Sequence, residues 1–225
     1  MRWMSEIFRD IREKTAQMDR GQKLEYIGTY YWYHILFCVA GIGLVFLVIR
    51  HLFFGEPEKE FTCLMVNQAV DYERDESLQR DFGNASGIEP ERVSVDSDYV
   101  FSYAGKQLEG VNESSYEKFF FRWGNGEVDA AVMPESFFRY CKEVGYEFAD
   151  LKDILGDMET EDEMGLWREY ILEEEGRWEG VYLKDTPLME YVEEEEGDPA
   201  ILVCLQDEVR QEAIRAFFKF AVEGK

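Results

Sequence analysis

The stretch from Tyr30 to Phe54, YYWYHILFCVAGIGLVFLVIRHLFF, constrains this chain most, because no charged or amide side chain occurs between Ile35 and Ile49. With its aromatic flank it reaches the ~20 residues that a helix needs to cross a bilayer. Tyr and Trp at one end, and Arg50 and His51 at the other, suit the two membrane interfaces. The alternative is a buried core helix, which would need a much larger protein around it, since this segment is apolar on every side. The expectation is a transmembrane signal anchor over 30–54, with the lipid bilayer as its partner.

The flanks orient it. Trp3, Met4, Ile7, Phe8 and Ile11 fall on one face of a helical register and Arg2, Arg9, Arg12 and Lys14 on the others, the pattern of a helix lying on a membrane surface. Arg20 and Lys23 precede the span, whereas Arg50 and Lys59 beyond it are diluted by Glu56, Glu58 and Glu60. The excess of basic residues before the span predicts a cytoplasmic segment over 1–29. No A-x-A-type site follows the apolar run, so an uncleaved anchor is expected rather than a removed signal peptide. A short linker over 55–60, carrying Pro57, leads to an extracytoplasmic domain over 61–225, and the location is the cell membrane.

That domain is strongly acidic. The chain carries a formal charge of −24, with seven Lys/Arg and five Asp/Glu in residues 1–55, leaving 17 basic and 43 acidic residues beyond. Such a surface repels phosphate, which excludes nucleic acid as a partner. The acid either solubilises the surface or gathers cations near a cleft. The four cysteines (Cys38, Cys63, Cys141 and Cys204) form no CxxC pair and sit in apolar runs, as small hydrophobes do. A Cys63–Cys204 bridge is the one pairing worth testing.

Apolar runs of strand length alternate with amphipathic helices. The strands are expected at 61–66, from Val93 toward Phe101, at 128–133, at 181–183 and at 200–205. Helices are expected over 75–86, from a Ser114–Glu117 capping box, over 135–144, from Thr160 through Ile171, and over 207–223, with a turn or two at 149–155. The acidic runs 173–175 and 193–196 read as solvated helix ends or loops. Continuous apolar strands alternating with helices predict an α/β fold: a mostly parallel sheet with helices on both faces, preceded by one N-terminal transmembrane helix.

The residue inventory narrows the chemistry. Both histidines, His34 and His51, lie at the membrane, so Ser-His-Asp and Cys-His catalysis and His-ligated zinc are excluded from the domain. Neither GxGxxG nor GxxxxGK[ST] occurs. Asp157, Glu159 and Glu161 alternate as calcium ligands do, but Asp162 stands where that loop requires glycine. No metal and no cofactor is expected. A carboxylate-based hydrolase remains a third reading, with 43 carboxylates making any close pair uninformative.

Ligands of open α/β sheets bind outside the carboxyl ends of strands. The candidate ligand-binding residues there are Asn67, Gln68, Ser97, Asp98, Glu135, Ser136, Lys184 and Asp185, with Gln206 and Asp207 after the last strand. The same types are ordinary at loops and helix caps. Tyr99, Tyr103 and Trp178 could stack on a sugar or belong to the core.

The run Gly126-Glu-Val-Asp-Ala-Ala-Val-Met133, a helix over 135–144 and Phe148-Ala-Asp-Leu151 resembles a passage of extracytoplasmic solute-binding proteins. Val181-Tyr-Leu-Lys-Asp-Thr-Pro-Leu188 and the last strand and helix are similar to their closing segments. The segment from Leu24 through the span resembles the signal anchor of membrane-tethered proteins of Gram-positive bacteria that carry such a domain. The resemblance implies a solute-binding-protein-like fold with one complete lobe and a second reduced to 156–180. It also implies a non-enzymatic role, either binding a small solute or protein partner in an accessory or sensing role at the envelope, or serving as a structural or interaction module of a membrane complex that has lost its ligand. A polar cleft at the strand ends favours the first; strand ends plugged by Trp167 or Trp178 favour the second.

Overall fold

The computed structural model describes residues 9–10, 12–53, 57–108, 110–155, 167–193, 195–205 and 210–224. The surface helix expected around Trp3 to Ile11 falls almost wholly outside them, as do the start of the Thr160 helix and Gln206–Asp207. The chain divides into two compact units, Met1–Glu56 and Pro57–Lys225.

In the first unit, α1 (Arg20–Tyr30) leads into α2 (Trp32–Phe53). Within α2, Trp32–Arg50 is long and apolar enough to cross a membrane, and none of it is buried. Phe37, Val39, Ile42 and Phe46 all face outward with no protein over them. An apolar helix left uncovered in this way suits lipid rather than water.

The second unit is an α/β domain around one six-stranded sheet. The strands are β1 (Phe61–Val66), β2 (Val93–Tyr99), β3 (Ala130–Pro134), β4 (Ile171–Glu174), β5 (Arg177–Tyr182) and β6 (Ala200–Cys204), in the spatial order β2-β1-β3-β6-β5-β4. The expected mostly parallel sheet is corrected to a mixed one. β1 pairs parallel with β2 and β3, but β3–β6, β6–β5 and β5–β4 are antiparallel. An apolar run records burial on two faces and carries no mark of direction, so β6 read as one more parallel strand.

Strand alternation explains the layers. Phe61, Cys63 and Met65 of β1 face one core, together with Ala130 and Val132 of β3 and Leu202 and Cys204 of β6. Leu64 and Val66, Ala131 and Met133, and Ile201 and Val203 face the other. Two faces that both shed water need two layers of helix. α3 (Tyr72–Ser86), α6 (Leu151–Leu155) and α7 (Gln211–Glu223) cover the first, and α4 (Glu113–Gly124) and α5 (Glu135–Glu143) the second. From β1 the chain crosses outward to β2 through α3, then back past β1 to β3 through α4. Right-handed crossovers running in opposite directions place those two helices on opposite faces.

Caps set the helix starts. Asp71 caps α3 by accepting the Arg74 amide at 3.0 Å, and Gly87 closes it at φ 75°. Asn112, not Ser114, caps α4, its Oδ1 accepting from the Ser114 amide and hydroxyl. The expected helix through Ile171 ends differently: Trp167 is helical, but Ile171–Glu174 is β4, hydrogen-bonded to β5 as an edge hairpin. The described part of the expected second lobe is therefore two strands of the same sheet. Gly180 is required there, since a Cβ would lie 2.9 Å from the Ile201 methyl and 3.1 Å from the Leu202 carbonyl. Glu173 and Glu174 consequently stand in a strand, where Glu174 pairs with Arg139 and Lys142 of α5.

None of the four cysteines is in a disulfide. Cys63 and Cys204 both register with Ala130, from opposite sides of β3. Two strand spacings separate them by ~9.5 Å, beyond the ~7 Å Cα limit of a disulfide.

The first core is anchored by a ring trio, with Phe217 of α7 4.6 Å from Phe61 and 4.9 Å from Phe82, all three fully buried. Phe217→Ala should lower unfolding stability by about 3–5 kcal/mol in chemical denaturation of the purified protein, and a loss below about 1 kcal/mol would contradict this packing.

Candidate functional site

The sheet order places the point where chain direction of travel reverses between β1 and β3, the position at which open α/β sheets form ligand crevices at their carboxyl edge. β6 runs antiparallel, with Ala200 opposite Pro134, so the residues just before β6 come to this edge and the residues after Cys204 go to the opposite one.

β1 ends in Asn67, which adopts a left-handed backbone (φ 54°), a conformation asparagine tolerates better than most residues. Its amide donates to the Tyr99 carbonyl and its Oδ1 accepts from the Phe101 amide, both at 2.9 Å, tying the ends of β1 and β2 together. Gln68 is buried, its Oε1 accepting the Glu193 amide at 2.7 Å. The next segment brings Tyr103, nearly buried, against Ser136, with the two hydroxyls 2.6 Å apart.

Ser136 opens α5. The N-cap position is Pro134, which has no side-chain acceptor, and Asp198 supplies the cap from across the sheet. Its carboxylate accepts the Ser136 amide at 2.8 Å and the Ser136 hydroxyl, and Lys106 reaches the same carboxylate at 2.9 Å and Glu195 at 2.6 Å. A carboxylate at a helix N-terminus also gains from the positive end of the helix dipole. Burial pushes the Asp198 carboxyl up, and the hydrogen bonds from Lys106 and Ser136 more than reverse this, leaving it below its ordinary value.

The remaining expected residues scatter. Glu135 pairs with Arg139 at 2.9 Å and accepts the Tyr182 hydroxyl at 3.2 Å. Ser97 lies within β2, fully buried, donating its amide and hydroxyl to Asp75 at 2.9 and 2.6 Å, so it joins β2 to α3 and lines no cleft. The Asp98 carbonyl accepts the Ser115 hydroxyl. Lys184 and Asp185 stand exposed on the turn after β5, with Asp185 at φ 61°. Of the aromatics, Tyr99 and Tyr103 are core residues, and Trp178 carries Lys152 5.4 Å from its ring centre. Trp167 packs in the first core and donates to Glu223 at 3.3 Å.

A second polar centre lies at the opposite, amino edge. Asp129, fully buried, precedes β3 and accepts the Thr62 amide on Oδ2 at 2.7 Å, while its own amide and carbonyl bond Thr62 and Leu205. Arg210, held at φ 61° just before α7, places Nε 3.0 Å from Asp129 Oδ1 as an ion pair out of hydrogen-bond alignment. Its other nitrogens donate to the carbonyls of Lys59 and Gly126, each at 3.2 Å. Burial pushes the Asp129 carboxyl up to about 6, against the Thr62 amide and the Arg210 charge, which pull it down. Such a group stabilises the fold most when protonated, and that contribution is lost as pH rises through about 6. The signal for it in the sequence is one acid inside an apolar strand run, Val128-Asp129-Ala130-Ala131.

Among the described residues no group of three side chains could hold a metal ion. Compared with known proteins, the chain matches no family model, no curated protein and no solved structure.

Asp198→Asn should cost about 1–2 kcal/mol of unfolding stability at pH 7, where the carboxylate holds both Lys106 and the α5 amide end. Because the folded-state carboxyl is held below its ordinary value, the deficit should persist at neutral pH and shrink as pH falls below about 4. A deficit that grows on acidification would contradict the cap.

Proposed function

We propose that this chain is a single-pass membrane protein whose acidic α/β domain lies outside the cell and serves as a non-enzymatic interaction module of a membrane complex. The observation that carries this reading is the occupation of the carboxyl-edge crevice by the chain's own groups. Gln68 is taken by Glu193, Ser136 by Asp198 and Tyr103, and Asp198 by Lys106. A ligand entering between β1 and β3 would have to displace a charged, hydrogen-bonded network, and leaving such groups unpaired costs about 1–3 kcal/mol each. Glu135, Asp198 and Glu195 at this edge are each paired with a cation, which disfavours a hydrolase reading.

The uncovered α2 helix supports the membrane anchor, and the basic residues before it support an inward N-terminus. The strong negative charge suits a partner with a basic face, since complementary fields speed encounter and reject like-charged competitors.

A thermal-shift screen of the full-length protein in detergent separates this reading from solute binding. Sugars, amino acids and short peptides should leave the unfolding midpoint unmoved. A saturable rise of several degrees with one chemical class would overturn the sealed crevice, because a ligand at 100 times its dissociation constant adds roughly 2.7 kcal/mol.

A further inference from the structure

Gly145, at φ 94°, turns the chain back after α5, and the Tyr146 amide closes that turn on the Cys141 carbonyl at 2.9 Å. The turn lays the Tyr146 ring on α4. It stacks on Phe120 with 4.4 Å between ring centres and on Trp123 with 4.9 Å, and Tyr116 lies 4.9 Å from Phe120 along the same helix face. The Tyr116 and Tyr140 hydroxyls, 2.7 Å apart, join α4 to α5 beside this row. Phe119 and Phe137 fill the core beneath and are fully buried, so the row is a second aromatic layer, in which Tyr146 remains 37% exposed. Trp123 donates its indole N–H to the Leu205 carbonyl at 3.2 Å. That bond fixes this end of the row at the amino edge, away from the crevice between β1 and β3.

The charge around the row is one-sided. Lys118 lies 4.0 Å from Asp96, and Arg122 is held by the Tyr99 hydroxyl at 2.7 Å with Asp96 and Glu127 beyond it. Arg139 is taken by Glu135 and Glu174, and Lys142 by Glu174 and Glu179. These are all the Lys and Arg residues of α4 and α5. Glu117, one turn before Phe120, and Glu143 and Glu147, flanking Val144–Tyr146, stand exposed with no cation of either helix left to pair with them. Partly exposed rings bordered by such acids leave one chemistry unmet, that of a cation with a flat face.

We propose that the Phe120–Tyr146–Trp123 stack is the surface by which this domain engages a protein partner, and that the partner presents arginine side chains to it. This rests on the interaction-module reading above and names the chemistry of the partner. A planar guanidinium stacks on a ring while its N–H groups reach a carboxylate; a compact ammonium is more strongly hydrated and has no flat face to stack. Aromatic residues and arginine are the types that protein interfaces enrich. A second copy of this chain does not fit, because a symmetric contact would set Glu117, Glu143 and Glu147 against the same acids.

Peptide binding to the full-length protein in detergent tests this, at about 150 mM salt, where diffuse attraction is screened beyond about 8 Å. The probes are two labelled peptides of about 20 residues, alternating Gly with Arg in one and Gly with Lys in the other, equal in charge but not in stacking. The arginine peptide should bind about fivefold more tightly. Tyr146→Ala should remove that preference, and Tyr146→Phe should keep it. Glu143→Gln combined with Glu147→Gln, two exposed changes that leave the packing intact, should weaken both peptides about threefold. Tyr72→Ala removes a ring that is 68% exposed beside Asp71 and Glu73 on α3, and it should change neither affinity. Equal affinities in the wild type, a preference that survives Tyr146→Ala, binding unaffected by the paired Glu changes, or the same loss in Tyr72→Ala would overturn the proposal. Each of those outcomes leaves the occupied crevice standing. A sugar or amino acid that raises the unfolding midpoint would instead remove the crevice argument without moving the Tyr146 result.

Discussion

Burial of β1, β3 and β6 on both faces governs the rest of the domain. Every residue in these three strands is at most 2% exposed or buried beneath a neighbouring element, so neither face of the central sheet can meet water. At about 25 cal/mol per Å² of apolar surface, leaving either face bare would forfeit much of the folding free energy. Among the described residues the helices are consequently distributed three to one side and two to the other, and all but the short α6 carry aromatics into their layer: Phe82 and Phe217 on the first, Phe119, Trp123 and Phe137 on the second. The crossovers of β1, β2 and β3 satisfy this demand with ordinary handedness.

With both faces filled, polar function is confined to the two edges, and the edges differ. At the carboxyl edge Asp198 is satisfied by an amide, a hydroxyl and an ammonium, and its charge is stabilised. At the amino edge Asp129 has one amide and one misaligned guanidinium, and its charge is strained by burial. The first arrangement closes a crevice; the second ties Lys59 and Gly126 to the start of α7 through Arg210. Both use a carboxylate to hold a helix start, but only the helix-capping one is fully compensated.

The resemblance to extracytoplasmic solute-binding proteins is to be weighed against this geometry. The second lobe expected in 156–180 is, in its described part, an edge hairpin completing the single sheet. At the carboxyl edge, Gln68, Ser136 and Asp198 are engaged by the chain's own Glu193 amide, Tyr103 hydroxyl and Lys106 ammonium. The comparisons with known proteins lend no weight to either reading.

Much of the architecture was legible because its signals are local. Apolar length marked the N-terminal apolar helix, apolar runs marked β1, β3 and β6, and Gly87 and the periodicity of Leu78 and Phe82 marked α3. Strand direction was not legible: β6 buries the same residues whether parallel or antiparallel, and only its pairing with β3 decides. β4 read as helix because Trp167, Tyr170 and Ile171 suit either period over so short a span. At the candidate site the sequence supplied Asn67, Gln68, Glu135 and Ser136 from strand ends, but misplaced Ser97 into a cleft and passed over Asp198, Lys106, Asp129 and Arg210. Their roles depend on partners 62 to 92 residues away at the carboxyl edge and on the meeting of β3 with the start of α7 at the other. The sequence alone determined where apolar surface must be hidden, since that follows from composition and spacing. Tertiary structure decided which charges face one another and in what degree of burial, because those are set by the packing of distant segments.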